Sequence, residues 1–181
     1  HLRSYRLDEI DEMYAELSKQ LNTDLTEAAA EFRKKAEEKI TETLAVIGDY
    51  PVAVDYQAVL RPFNLALALT EYGFKVGLVA SNGIPAFEKE SAKKLKEMVP
   101  DVVFTDPMHP QSVQYPHEGE EYLCIGFDCG YITKSKKLVE LVEDEGLFGY
   151  SGVMELMNRM QDAFLTKADV NKMIEGAGLI I

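Results

Sequence analysis

Residues 51–73, PVAVDYQAVLRPFNLALALTEYG, carry the pattern that identifies the fold class of this chain. The first six residues are mostly apolar and include β-branched side chains, which is typical of a short buried strand. Pro62 suits the first turn of a helix, because the N–H group that proline lacks has no partner there. The apolar run after it predicts a helix that ends near Gly73. Strand, loop and helix in this order are the unit of a parallel α/β sheet.

Arg61 lies in the loop of this unit, directly before Pro62. In open α/β sheets ligands bind beyond the carboxyl ends of the strands, where helix N-termini favour anions. We therefore expect the guanidinium of Arg61 to face an anionic ligand in that cleft. The alternative is an ion pair with a nearby carboxylate. As an exposed charge, Arg61 is expected to contribute at most ~1 kcal/mol to stability.

The pattern of strand and helix continues through the C-terminal part of the chain. Apolar runs predict further strands over 75–80, 101–105 and 122–127, and helices over about 85–98 and 149–165. A Gly- and Lys-rich loop is predicted after residue 127, followed by a short fifth strand over 138–142. Right-handed connections favour a doubly wound sheet. The sequence thus predicts a three-layer, Rossmann-like α/β domain over 49–181, with a parallel sheet of four or five strands.

The first 48 residues have a different pattern and predict a helical lead-in. Between 8 and 21, Ile10, Tyr14 and Leu17 recur at helical spacing. Thr23 or Asp24 is placed to cap a second helix that reaches about residue 46. No residue of this lead-in suggests chemistry of its own.

Composition excludes several classes of function. Nineteen basic and thirty-one acidic residues give a net charge of -12, which disfavours nucleic-acid binding. No apolar run approaches the ~20 residues that cross a bilayer, and no signal peptide opens the chain, so we expect a cytoplasmic protein. The glycine-rich motifs of nucleotide-binding loops are absent.

The two cysteines and the histidines predict no metal site. Two thiols alone do not make a structural zinc or iron–sulfur site. Cys124 lies in an apolar run and is expected in the core. Cys129 leaves two alternatives, a structural thiol or a single ligand or reactive thiol. His109 and His117 flank a loop with Glu118, Glu120 and Glu121, but this spacing matches no metal motif, so a structural or solvated role is expected.

Five short motifs, in this order, resemble nitrogenase component 1, most closely the α-type subunit of the molybdenum-iron protein. They cover residues ~50 to 165, and the helical lead-in also fits what precedes the last Rossmann-like domain of that family. The motifs are Val59-Leu60-Arg61-Pro62, Glu71-Tyr72-Gly73-Phe74-Lys75-Val76, Pro100-Asp101-Val102, Ile125-Gly126 and Gly149-Tyr150-Ser151-Gly152.

The resemblance implies the C-terminal domain of a nitrogenase-like oxidoreductase. Members of the family take electrons from an iron–sulfur ATPase and deliver them to a metallocluster or tetrapyrrole between Rossmann-like domains. The full-length protein is therefore expected to have that ATPase and a homologous subunit as partners, and an iron–sulfur or related metallocluster as cofactor. The domain alone is expected to hold no cofactor and to catalyse nothing. A cofactor-assembly scaffold and a non-redox metal- or tetrapyrrole-binding module are the alternatives.

The resemblance also implies which residues contact the cofactor. Arg61 matches the arginine that hydrogen-bonds the iron-molybdenum cofactor. Ala58 and Val59 stand where the family has a pair of glycines, and their bulk would hold a cluster farther off or exclude it. Lys134, Lys136 or Lys137 is expected to assist Arg61 in binding an anionic ligand. No histidine follows His117, so the molybdenum ligand of the family has no counterpart, and a genuine dinitrogen-reducing α subunit is not expected.

Overall fold

The structure of this chain is a computed structural model that describes residues 4–114 and 122–168. His117, Glu118, Glu120 and Glu121 lie outside the described residues. The described part contains six α-helices, five strands and two short 3₁₀ turns. In chain order these are α1 (Leu7–Leu21), α2 (Thr26–Ile47), β1 (Val52–Asp55), α3 (Pro62–Glu71), β2 (Val76–Ala80), a turn at Ala86–Glu88, α4 (Lys89–Met98), β3 (Val103–Thr105), a turn at Pro110–Gln114, β4 (Leu123–Ile125), α5 (Phe127–Thr133), β5 (Lys137–Val139) and α6 (Gly149–Leu165).

The five strands form one parallel sheet in the order β3-β2-β1-β4-β5. In the central strand, Val54 pairs with Val79 on one side and with Ile125 on the other. The chain therefore builds outwards from β1 to β3 and then crosses back to place β4 beside β1. This reversal between β1 and β4 is the topological switch point, where open α/β sheets bind their ligands. The predicted parallel, doubly wound sheet is confirmed.

Each face of the sheet has its own apolar core. Val52 and Val54 belong to the larger core, which holds residues of α3, α4 and α6 and also Ile10 and Ile40 of the lead-in. Ala53, between them, faces the smaller core with Cys129 of α5. This alternation follows from the two-residue period of a strand. Helices thus cover both faces of the sheet, and α1 and α2 pack into the core of the larger face.

Several local predictions need correction. The loop predicted after residue 127 begins as a helix, α5, in which Cys129 and Ile132 are buried. Strand β5 comes one residue earlier than predicted and ends at Val139, and β3 and β4 are shorter than predicted, at Val103–Thr105 and Leu123–Ile125. Helix α4 begins at Lys89, after a 3₁₀ turn. At the start of α2 the N-cap residue is Leu25, so neither predicted capping residue, Thr23 or Asp24, holds that position. An Asp24 oxygen nevertheless accepts a hydrogen bond from the Thr26 N–H, the first of the helix, at 2.9 Å.

None of the helices in the described ranges is both long and apolar enough to cross a membrane.

Candidate functional site

The switch point is filled by the carboxylate of Asp55, the last residue of β1. This side chain is fully buried and accepts hydrogen bonds from the N–H groups of Gln57 (3.0 Å), Ala58 (2.9 Å) and Cys129 (3.1 Å). Burial raises the pKa of Asp55, and these N–H groups oppose that rise. Gly126 passes so close that a Cβ atom there would lie 2.3 Å from both carboxylate oxygens. An internal carboxylate thus takes the place at the start of α5 that suits a bound anion.

A second internal carboxylate, Glu88, lies at the N-terminus of α3. One of its oxygens accepts the N–H groups of Phe63 (2.8 Å) and Asn64 (3.2 Å), and the other accepts the Nε–H of Arg61 (3.1 Å). The Glu88 side chain is fully buried. Burial raises the pKa of Glu88, while the Asn64 N–H and the Arg61 charge act in the opposite direction. The free N–H groups of this helix are therefore also satisfied from within the chain.

Arg61 lies between two carboxylates. Besides Glu88, its Nη1 atom is 3.5 Å from a Glu9 oxygen, and the side chain is only 17% exposed. The ion pair that we considered as the alternative for Arg61 is present, and the expectation of an exposed charge is wrong. Contact between Arg61 and a cofactor stays a prediction.

The Ala58-Val59 loop is closed by backbone contacts with the loop after β5. Both side chains are fully buried. The carbonyl of Ala58 accepts the N–H of Asp144 at 2.8 Å, and the Asp144 carboxylate accepts the hydroxyl of Tyr5 (2.6 Å) and the N–H of Leu60 (3.4 Å). Residues 143–146 all have positive φ, an uncommon left-handed turn. The loops after β1 and β5 and the start of the lead-in are thus joined to one another.

Lys134 does not lie with the other three predicted contact residues. It is exposed and ends α5 in a left-handed conformation. The next residue, Ser135, donates a hydrogen bond from its hydroxyl to the carbonyl of Tyr122, just before β4. Because α5 runs back along the sheet, Lys134 lies near the amino ends of the strands, whereas Arg61, Ala58 and Val59 lie at the carboxyl ends.

Both cysteines are structural. Cys124 and Cys129 are free thiols with no exposed surface, and the Cys129 sulfur lies 3.3 Å from the Gly126 carbonyl oxygen. Burial raises the pKa of Cys129 well above its ordinary value, which keeps the thiol neutral. The prediction for Cys124 is confirmed, and the structural alternative describes Cys129.

His109 lines an open pocket of about 290 Å³ at the carboxyl end of β3, with Asp106 and Ser112. Its Nδ1 atom accepts the N–H of Gln111 at 3.2 Å. Within 4–114 and 122–168, no group of three His, Cys, Asp or Glu side chains is placed to hold a metal ion.

The edge formed by the carboxyl ends of the strands, here called the carboxyl edge, exposes large apolar side chains on the loops of four strands. Phe87 is 64% exposed and Met108 is 73% exposed. Sequence reasoning missed this set, although a large apolar residue within a predicted strand-to-helix loop was a usable signal. The six residues are Leu60, Ile84, Phe87, Met108, Val142 and Phe148.

The fold has a counterpart among solved structures. Neither a protein-family model nor a curated protein matches the chain. A chain of nitrogenase Cp1 at pH 6.5 has the same fold, with a TM-score of 0.65, 13% sequence identity and 88% of this chain covered. The match spans 38% of the nitrogenase chain. At this identity the similarity establishes the fold alone. The chain therefore has the fold of a Rossmann-like nitrogenase component 1 domain, preceded by a helical segment.

Proposed function

We propose that this chain is a domain of a nitrogenase-like oxidoreductase, and that its carboxyl edge forms one wall of an interdomain ligand site. The fold similarity over 88% of the chain supports the first part. The second part is supported by the six exposed apolar side chains on the loops of the carboxyl edge, since apolar surface at the ligand-binding edge of such a sheet suits a ligand or another domain. An iron–sulfur ATPase as electron donor, a homologous subunit and a cytoplasmic location belong to the same proposal.

The residues of this wall do not fit a metallocluster. Both thiols lie in the core beneath the edge, and the buried Asp55 and Glu88 carboxylates are committed to backbone N–H groups. Aromatic and aliphatic side chains instead suit a large apolar ligand. Of the two ligand classes that the resemblance implies, the wall therefore favours a tetrapyrrole. A non-redox tetrapyrrole-binding module is the second candidate, which the same apolar surface supports.

The test compares edge variants with a matched control in the complete protein that carries this domain. Phe87→Ser and Leu60→Ser remove exposed apolar side chains from the carboxyl edge, and Phe32→Ser removes one from α2. Burying one such side chain against a ligand contributes about 1.5–3 kcal/mol, so each edge variant should weaken tetrapyrrole binding about tenfold or more. Protoporphyrin titration followed by absorbance measures this. Unchanged binding in both edge variants, or an equal loss in Phe32→Ser, would contradict the proposal.

Electron transfer separates the two candidates. If the protein is the oxidoreductase, the ATPase partner should reduce the bound tetrapyrrole. This reduction should be lost in Phe87→Ser and retained in Phe32→Ser. Tight tetrapyrrole binding without reduction by any such partner would instead support the non-redox binding module.

A further inference from the structure

Glu88 occupies a cradle of hydrogen-bond donors made by Arg61 and the first turn of α3. We propose that Glu88 is an internal ligand of this oxyanion cradle, a carboxylate that the chain supplies to itself. If the carboxyl edge forms the wall of a ligand site, as proposed above, the ligand of that site has no anionic group next to Arg61 and the first turn of α3.

The cradle has the donors of a site for a carboxylate. The N–H groups of Phe63 and Asn64 bind one oxygen of Glu88, and the Nε–H of Arg61 binds the other, at 2.8, 3.2 and 3.1 Å. Two of these donors belong to the backbone and are therefore fixed in direction. The dipole of the ten-residue helix α3 adds a partial positive charge at the same end. Charge-assisted hydrogen bonds of this kind are the strong ones.

Among the described residues, the charges around the cradle leave no net attraction for a second anion. Arg61 and Arg6 carry two positive charges, whereas the carboxylates paired with them carry three negative charges, on Glu88, Glu9 and Glu71. Asp55 fills the corresponding place at the start of α5. Carboxylates of the chain thus accept N–H groups in the first turns of both α3 and α5.

The segment that contributes Glu88 presents apolar side chains to solvent. Its neighbour Phe87 is exposed while Glu88 is fully buried, and Ile84 in the preceding loop is exposed as well. A ligand that approaches this end of the wall therefore meets apolar surface, with the carboxylate beneath it.

Glu88→Ala tests the proposal, because the missing atoms beyond Cβ correspond to acetate. We expect acetate, at constant ionic strength and against chloride, to raise the melting temperature of Glu88→Ala by several degrees and to saturate, since a ligand that binds only the native state stabilises it. Wild type and Glu90→Ala, which changes an exposed glutamate of α4, should show no such rise. Adding Arg61→Ala to Glu88→Ala should abolish the effect.

A second measurement applies if Glu88→Ala does not fold. In wild-type protein, NMR signals of the Phe63 and Asn64 amides should not shift as acetate is added. A saturable shift there, an acetate-dependent rise in wild type, or no acetate effect in folded Glu88→Ala would overturn the proposal. None of these outcomes bears on tetrapyrrole loss in Phe87→Ser, so failure of the internal ligand and failure of the proposed function are distinguishable.

Discussion

Gly126→Ala should be among the most damaging single substitutions in this domain. Gly126 has φ 105° and ψ 156°, a region that only glycine occupies readily, so alanine costs about 1–3 kcal/mol in backbone strain. The added Cβ would also lie 2.3 Å from both Asp55 oxygens, and the buried carboxylate must move. Each N–H group that loses its bond to Asp55 costs a further ~1–3 kcal/mol.

With one N–H group lost, these two contributions sum to about 2–6 kcal/mol, a large fraction of the ~5–15 kcal/mol that stabilises a typical domain. Urea unfolding followed by circular dichroism measures the loss. Gly83→Ala is the control, because Gly83 also has positive φ but a Cβ there meets nothing within 4 Å. A loss below about 1 kcal/mol for Gly126→Ala, or an equal loss for Gly83→Ala, would refute the close packing of Gly126 on Asp55.

Two further predictions concern charged groups. Burial and the neighbouring Asp55 raise the pKa of the partly exposed Asp128 to about 6, so its ionisation destabilises the fold as pH rises from about 4 to above 6. At pH 7.5 the free energy of unfolding of Asp128→Asn should therefore exceed that of wild type by about 1 kcal/mol, after allowance for solvent screening. At pH 3.5 the two proteins should be equally stable, and a gain of the same size at both pH values would contradict this. Arg61→Ala leaves the buried Glu88 without its ion-pair partner and should lower the free energy of unfolding by about 3–5 kcal/mol. Urea unfolding measures this loss. Arg61→Ala combined with Glu88→Gln should cost less, and a loss under 1 kcal/mol for the single variant would show that the pair contributes little.

The strands and α3 were predictable because their side chains are apolar with the right period. The run from Val52 to Asp55 needs no distant partner to be recognised as a strand, and Pro62 marks a helix start on local grounds. Helix α5 was missed because it is short and contains Gly130. Its stability comes from contacts outside the helix, with Asp55 accepting an N–H group of its first turn and Leu138 packing against Gly130.

The candidate site was less predictable than the fold. Glu88 falls in a helical pattern in which a glutamate ordinarily faces solvent, and its partners at Arg61, Phe63 and Asn64 lie more than twenty positions earlier. Which carboxylate would pair with Arg61, and that the pair would be buried, depends on how α3 and α4 pack. Lys134 was assigned to the carboxyl edge because its segment was interpreted as a loop, and a helix there moves it to the opposite end of the sheet.

The strand order has a consequence for how this chain reaches its native state. The central strand β1 pairs on one side with β2, which follows soon after it in sequence. On its other side it pairs with residues 123–125 of β4, about seventy positions later. During synthesis the backbone N–H and C=O groups along one edge of the apolar strand segment Val52 to Val54 therefore stay unpaired until β4 has emerged. Non-local parallel pairing of this kind is slow to form, and an unpaired apolar edge promotes aggregation. Fragments that end before β4 should thus be found in the insoluble fraction.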